Sequence, residues 1–166
     1  MNLVYLSIGT NLGNKVENLK NVISRLSDIM TINSISSVYK TEPFNVPKQD
    51  DFLNIAIEVQ TNFAPLELIH KLKKIESEMG RILFESNKPR IIDIDIIFYN
   101  SIILDEIQIQ VPHPRAHKRA FVIFPIMDLN PGFVHPILNK SLMEISKNLL
   151  NQKISKLENV GIEKIQ

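Results

Sequence analysis

The stretch Pro89-Arg90-Ile91-Ile92-Asp93-Ile94-Asp95-Ile96-Ile97-Phe98-Tyr99 is apolar and rich in β-branched residues, as a buried strand must be, yet it carries two acids two positions apart. Strand side chains alternate between faces, so Ile92, Ile94, Ile96 and Phe98 are expected on one face and Asp93 and Asp95 on the other. Two ionised carboxylates ~7 Å apart on a half-buried surface repel each other, and desolvating them is costly unless cations lie between them. Two sources can supply that charge. One is a set of Lys or Arg side chains from neighbouring elements, forming a structural ion network. The other is Mg²⁺, a hard cation that combines one or two carboxylates with substrate phosphates. Arg90, three residues before Asp93, suits a bound polyphosphate, because its guanidinium forks onto phosphate oxygens.

Composition narrows the alternatives. At 166 residues the chain is expected to form one domain, 1–166, around a single core. Nineteen Lys and Arg stand against 18 Asp and Glu, so no global field favours nucleic acid or a membrane surface, and an anionic ligand needs a local cluster. With no Cys, disulfides, thiol catalysis and thiolate zinc sites are excluded together, and the four histidines lack zinc-site spacing. The first residues enter a strand, and no apolar run approaches the ~20 residues of a membrane span. The expectation is a cytoplasmic monomer without nucleic-acid or membrane partners.

Leu3 to Ile8 reads as a first strand, and Gly9-Thr10-Asn11-Leu12-Gly13 as a turn that lacks the phosphate-loop spacing. Asn14 and Glu17 form a capping pair for a helix to about Asp28, with Leu19, Val22, Ile23, Leu26 and Ile29 on its inner face. A second strand is expected from Ile32 to Lys40. After the proline-containing loop 41–51, Leu53, Ile55, Ile57 and Val59 alternate with Phe52, Asn54, Ala56, Glu58 and Gln60. That second face, mixing an aromatic with an amide, reads equally as a ligand floor or as an exposed polar face. Pro65 starts a second helix with an apolar stripe of Leu66, Ile69, Leu72, Ile75 and Met79, ending at Gly80. Strand, helix, strand, strand, helix, strand with right-handed crossovers gives an α+β, ferredoxin-like βαββαβ sandwich. Its antiparallel sheet has helices on one face, and the other face is free for ligands or the C-terminal third. A hairpin over Ile102 to Val111, a basic turn from His113 to Arg119, a short helix from Val122 to Leu129 around Pro125 and a last helix from Ser141 to about Leu150 complete the reading. The chain beyond carries no readable pattern.

Four collinear stretches carry a family resemblance over about residues 1–150: Gly9-Thr10-Asn11-Leu12; Tyr39-Lys40-Thr41-Glu42-Pro43 followed by Phe52-Leu53-Asn54; Pro89-Arg90 through Asp93-Ile94-Asp95; and Val111-Pro112-His113-Pro114 through Arg119-Ala120-Phe121. Together they resemble the hydroxymethyl-dihydropterin pyrophosphokinases of folate biosynthesis. The resemblance implies a ferredoxin-like core and transfer of the pyrophosphoryl group of ATP to the hydroxymethyl oxygen of a reduced pterin, releasing AMP. It implies that Asp93 and Asp95 bind two Mg²⁺ ions, with ATP as co-substrate, and that Arg81, Arg90 and Asp95 act in catalysis. It further places Glu76, Arg81, Arg90, His113 and Arg119 at nucleotide-contacting positions and Thr41, Pro43, Phe44, Phe52, Asn54 and Phe121 around the pterin. The chain departs from the family pattern at Leu83, where a second arginine is common, and at Asn87 and Lys88, before the Pro-Arg pair. An RNA-binding sheet is the main reading of another class, but it leaves two aspartates repelling phosphate and lacks the aromatic motif such sheets carry. A different two-metal nucleotidyl transferase is the third.

Overall fold

The computed structural model describes residues 1–43, 49–82 and 88–162. Its central strand is β1, Asn2–Thr10, which pairs antiparallel along its whole length with β4, Phe52–Thr61, and on its other side with β5, Asp93–Tyr99. Helix α1, Lys15–Ser27, and helix α2, Pro65–Glu78, are the two crossovers. Asn14 Oδ1 accepts from Glu17 N at 3.2 Å, so the expected cap is formed, and Pro65 occupies the first turn of α2. The sheet order is β5-β1-β4, then β3 (Val38–Thr41) and β8 (Ile154–Leu157), with β2 (Thr31–Ile35) also on β4, the ferredoxin-like arrangement that the strand and helix order predicts.

Each face of the sheet has its own apolar cluster. Leu19, Val22 and Leu26 of α1 and Leu68, Leu72 and Ile75 of α2 close over Val4, Leu6, Ile8, Ile55, Ile57, Ile94 and Ile96. On the opposite face α3, Ala120–Leu129, and α4, Leu142–Ser146, pack on Tyr5, Ala56 and Phe98. Ser141 and Glu144 form a capping box for α4, and a 3-10 turn over Lys147–Leu149 extends it. This second cluster stops short of Gly9, Asn54, Asp93 and Asp95, which leaves that end of the face to the candidate site.

Five details differ from the sequence reading. The single strand expected over 32–40 is two, β2 Thr31–Ile35 and β3 Val38–Thr41, because the hydroxyl of Ser36 accepts from Ala56 N at 2.8 Å and Ser37 N donates to Asp128 at 3.1 Å. These bonds replace ladder pairing at the break. In β5, Leu6 opposes Ile96 while Tyr5 opposes Phe98, so Ile97 is a bulge and the parity of facing reverses beyond it. Phe98 therefore joins the second cluster rather than the face of Ile92, Ile94 and Ile96. The inner stripe of α2 runs through Leu68, with Leu66 37% exposed. The hairpin pairs only Leu104–Asp105 (β6) with Gln110–Val111 (β7), leaving Ile107 exposed at its tip. Finally, Ile154–Leu157 forms β8 against β3, where sequence showed no pattern. Among the described residues no helix is long and apolar enough to cross a membrane.

Candidate functional site

Asp93 and Asp95 do share a face of β5, as the alternation requires, but their surroundings differ. Asp93 takes Arg81 Nη1 on Oδ1 and Arg90 Nη1 on Oδ2, the latter at 2.5 Å. Burial alone would push its carboxyl up, but the two guanidinium groups hold it below the usual aspartate range. Among the described residues, none makes a hydrogen bond or ion pair with Asp95. Burial, then the charge of Asp93, raises the Asp95 carboxyl, while His113, Lys73 and Arg119 act on it only through space. Of the two charge sources open to the sequence, arginine thus serves Asp93, and Asp95 keeps an unshared carboxylate.

Glu76, fully buried at the C-terminal end of α2, organises the basic side of the site. Its Oε1 accepts from Ile94 N at 2.6 Å, from Arg81 Nη1 at 2.6 Å and from Lys73 Nζ at 3.1 Å. Burial raises its carboxyl against the pull of Lys73, the Ile94 amide and Arg81. Strand β5 is outermost in the sheet, and Glu76 occupies the edge amide that strand pairing leaves unused. Lys73 is a member of the site that the sequence reading missed; its signal was the spacing of three from Glu76, which puts both on one helix face.

A cleft opens along this edge of β5, lined by Lys73, Asp95, Gln108, Gln110, His113 and Arg115 over a floor of isoleucines. His113 is fixed by its N–H, which donates to Ile97 O at 3.0 Å. Burial depresses the His113 imidazole, and Arg119 and Arg115 reinforce this against the opposing pull of Asp95. Arg119 lies 5.5 Å over the ring of Phe121, and burial lowers its guanidinium.

Across β1 lies the second half of the site. Gly9 pairs with Asp93 on one side and with Asn54 on the other, and Asn54 pairs in turn with Tyr39. Asn54 is 3% exposed, and its Nδ2 donates to Thr41 Oγ1 at 2.9 Å; among the described residues none donates to its carbonyl oxygen. Phe52, two residues before it on the same face of β4, and Pro43 are half-buried. Phe52 and Phe121 make no ring contact with each other, so the structure brings Thr41 and Asn54 together without stacking the two aromatics. Phe44, Leu83 and Asn87 lie outside the described residues. Asn11, 2% exposed, joins the two halves: its N–H donates to Arg90 O at 3.1 Å, its Oδ1 accepts from Arg90 N at 2.8 Å, and its Nδ2 donates to Asp50 O at 3.2 Å. The turn read as lacking a phosphate loop is a clamp between two loops.

The carboxylate pair fits a magnesium ion on its donor chemistry. Asp95 offers hard oxygens without a competing cation, and two carboxylates completed by phosphate oxygens make a sufficient set.

Comparison with known proteins bears on these features. The family model described as 7,8-dihydro-6-hydroxymethylpterin-pyrophosphokinase matches residues 5–131. The 2-amino-4-hydroxy-6-hydroxymethyldihydropteridine pyrophosphokinase of Aquifex aeolicus is 36% identical over 144 residues, 87% of this chain and 90% of that protein. The folic acid synthesis protein FOL1 of Dictyostelium discoideum is 41% identical over 150 residues, and this chain spans 23% of its length. A crystal structure of the Plasmodium falciparum HPPK-DHPS superimposes over 90% of this chain and 44% of its own, with a TM-score of 0.74 at 18% identity, a likeness of fold.

Proposed function

The chain belongs to the 7,8-dihydro-6-hydroxymethylpterin-pyrophosphokinase family, and from that premise we propose how its own residues divide the reaction. The reaction is pyrophosphoryl transfer from ATP to 6-hydroxymethyl-7,8-dihydropterin in folate biosynthesis. The hydroxymethyl oxygen forms a bond to the β-phosphorus, the bond from that phosphorus to the oxygen shared with the α-phosphate breaks, AMP departs, and the hydroxyl proton passes to a phosphate oxygen or solvent.

The observation that carries the assignment of parts is the row Asp93, Gly9, Asn54 across three strands, with the basic cleft on its outer side. The triphosphate takes the cleft, where Lys73, His113, Arg115 and Arg119 supply positive or donor groups. Arg81 and Arg90 are the forked donors that a polyphosphate draws from Asp93, since phosphate offers them the same bidentate geometry with more charge. The pterin takes the inner side, with Asn54 receiving and donating at its edge, Thr41 holding the amide, and Phe52, Phe121, Pro43 and Phe44 around the ring. Asp93 and Asp95 would hold two Mg²⁺ ions, whose chemistry is to neutralise phosphate charge and acidify a bound hydroxyl. Arg81, Arg90 and Asp95 are then the catalytic residues. We place the enzyme in the cytoplasm, as a monomer.

The test is an assay with ATP, Mg²⁺ and the hydroxymethyl-dihydropterin, resolving nucleotide products. AMP formed in step with the pterin diphosphate, abolished by EDTA and restored by excess Mg²⁺, is expected. ADP or pyrophosphate as product, or no pterin turnover, overturns the proposal.

A further inference from the structure

Arg119 stands alone between two helical segments. A 3-10 turn over Ala116–Lys118 ends just before it, α3 begins just after it, and its own backbone is extended, with φ −123° and ψ 110°. It is the N-cap of α3 but forms no side-chain cap, so Ala120 N, the first amide of the helix, must find its acceptor elsewhere. That acceptor comes from the far end of the chain. The side-chain amide of Gln152 accepts from Ala120 N at 2.9 Å and donates to Lys118 O at 2.8 Å. These two groups belong to the peptide units on either side of Arg119, so a single planar amide closes a ring around that residue. Gln152 is itself held: it is half-buried, its N–H donates to Leu149 O at 3.0 Å, and two residues later Ile154 of β8 pairs with Thr41.

Resting on the assignment of Arg119 to the triphosphate, we infer that Gln152 is a positioning residue for ATP, acting through the backbone of Arg119. The guanidinium is near enough to Asp95 and Asp93 to feel their charge, yet among the described residues no carboxylate pairs with it, and its one ring contact is Phe121. Its aim therefore depends on the chain that carries it. A rotation at the extended residue between two helical segments swings the end of so long a side chain away from the cleft. Gln152 blocks that rotation by bonding both flanking peptides, and so supports the binding group from behind. The family match ends at residue 131 and gives Gln152 no part.

The test is a double-mutant cycle on the full chain, with binding of a non-hydrolysable ATP analogue and Mg²⁺ read by calorimetry. Gln152→Met, close in length and unable to form either bond, is combined with Arg119→Ala. In the native background it is expected to weaken the analogue about tenfold, and in the Arg119→Ala background by less than about twofold, because its effect passes through the missing guanidinium. Gln152→Glu keeps an acceptor for Ala120 N and loses the donor to Lys118 O; it carries the same cycle if the first variant melts below the assay temperature. The same loss in both backgrounds, or none in the native one, overturns the inference and leaves Gln152 a support of the fold alone. Native affinity in Arg119→Ala overturns the assignment of Arg119 to the nucleotide, and the inference with it.

Discussion

Asp93 and Asp95 stand two residues apart on the same face of β5, yet Asp93 holds Arg81 and Arg90 while Asp95 holds neither. The asymmetry divides the dyad into a carboxylate that organises the arginines and one whose charge is not compensated by contact. A half-buried carboxylate without a contact partner among the described residues is suited to a ligand from outside the fold.

Asp95→Asn is expected to lower turnover by about 10³, the scale of removing a group that acts on transition-state charge. It should also raise the thermal midpoint near neutral pH. Because the Asp95 carboxyl is raised by burial and by Asp93, its folded-state advantage exists in acid and is lost as pH rises through that raised value. The variant should lack this decline. Steady-state kinetics and melting curves from pH 4 to 8 check both parts, and a turnover loss under tenfold removes Asp95 from the catalytic residues.

Lys73→Ala should raise KM for ATP by roughly tenfold, as expected for one charge-assisted bond, and leave pterin KM unchanged. The ammonium now rests on Glu76, 3.0 Å away, within the cleft that contains Asp95. Kinetics at two ionic strengths give a further check, since the variant should show a weaker salt dependence of ATP binding. Unchanged KM for ATP assigns Lys73 to the helix surface.

Thr41→Val leaves the buried Nδ2 of Asn54 without its 2.9 Å acceptor and frees the amide to turn over. Pterin affinity should fall by about tenfold, within the range for an unpaired buried donor, with ATP affinity retained. Isothermal titration with each ligand separately is the measurement.

Asp128→Asn addresses stability. Asp128 Oδ1 accepts from Tyr39 OH at 2.9 Å and from Lys156 Nζ at 3.1 Å, and Oδ2 accepts from Ser37 N at 3.1 Å. Burial pushes its carboxyl up, but these three donors prevail and hold it below the usual aspartate range. Its contribution is therefore present above about pH 4 and is lost as pH falls through the depressed value. The variant should be less stable than the native chain by about 2 kcal/mol at pH 7, with the difference vanishing in acid. Urea denaturation between pH 2 and 7 reads this directly.

The periodicities of β1, β4 and the two long helices were legible because each has one buried face, and face alternation also placed Asp93 and Asp95 together correctly. What escaped the sequence has physical causes. The bulge at Ile97 leaves no mark in a run of apolar residues, since either register buries hydrophobic groups, and so Phe98 was assigned to the wrong side. The break at Ser36 depends on a hydroxyl meeting Ala56, a contact between elements twenty residues apart. Strand β8 puts one apolar residue on each face, Ile154 on one and Leu157 on the other, and is held by the edge of β3, so no one-sided alternation marks it. Of the site, the carboxylates and arginines were visible as residue types; the division of labour between the two aspartates, and the role of Asn11 as a clamp, exist only in three dimensions.

The buried carboxylate of Glu76 has a consequence beyond orienting Arg81 and Lys73. An outermost strand with free amides and carbonyls invites a foreign strand to add to it, and β5 is apolar enough to be a dangerous template. With Ile94 N occupied by Glu76 and Ile97 O by His113 N, that invitation is withdrawn along the strand. The same side chains that ready the molecule for a nucleotide also keep separate molecules from zipping together during synthesis and refolding.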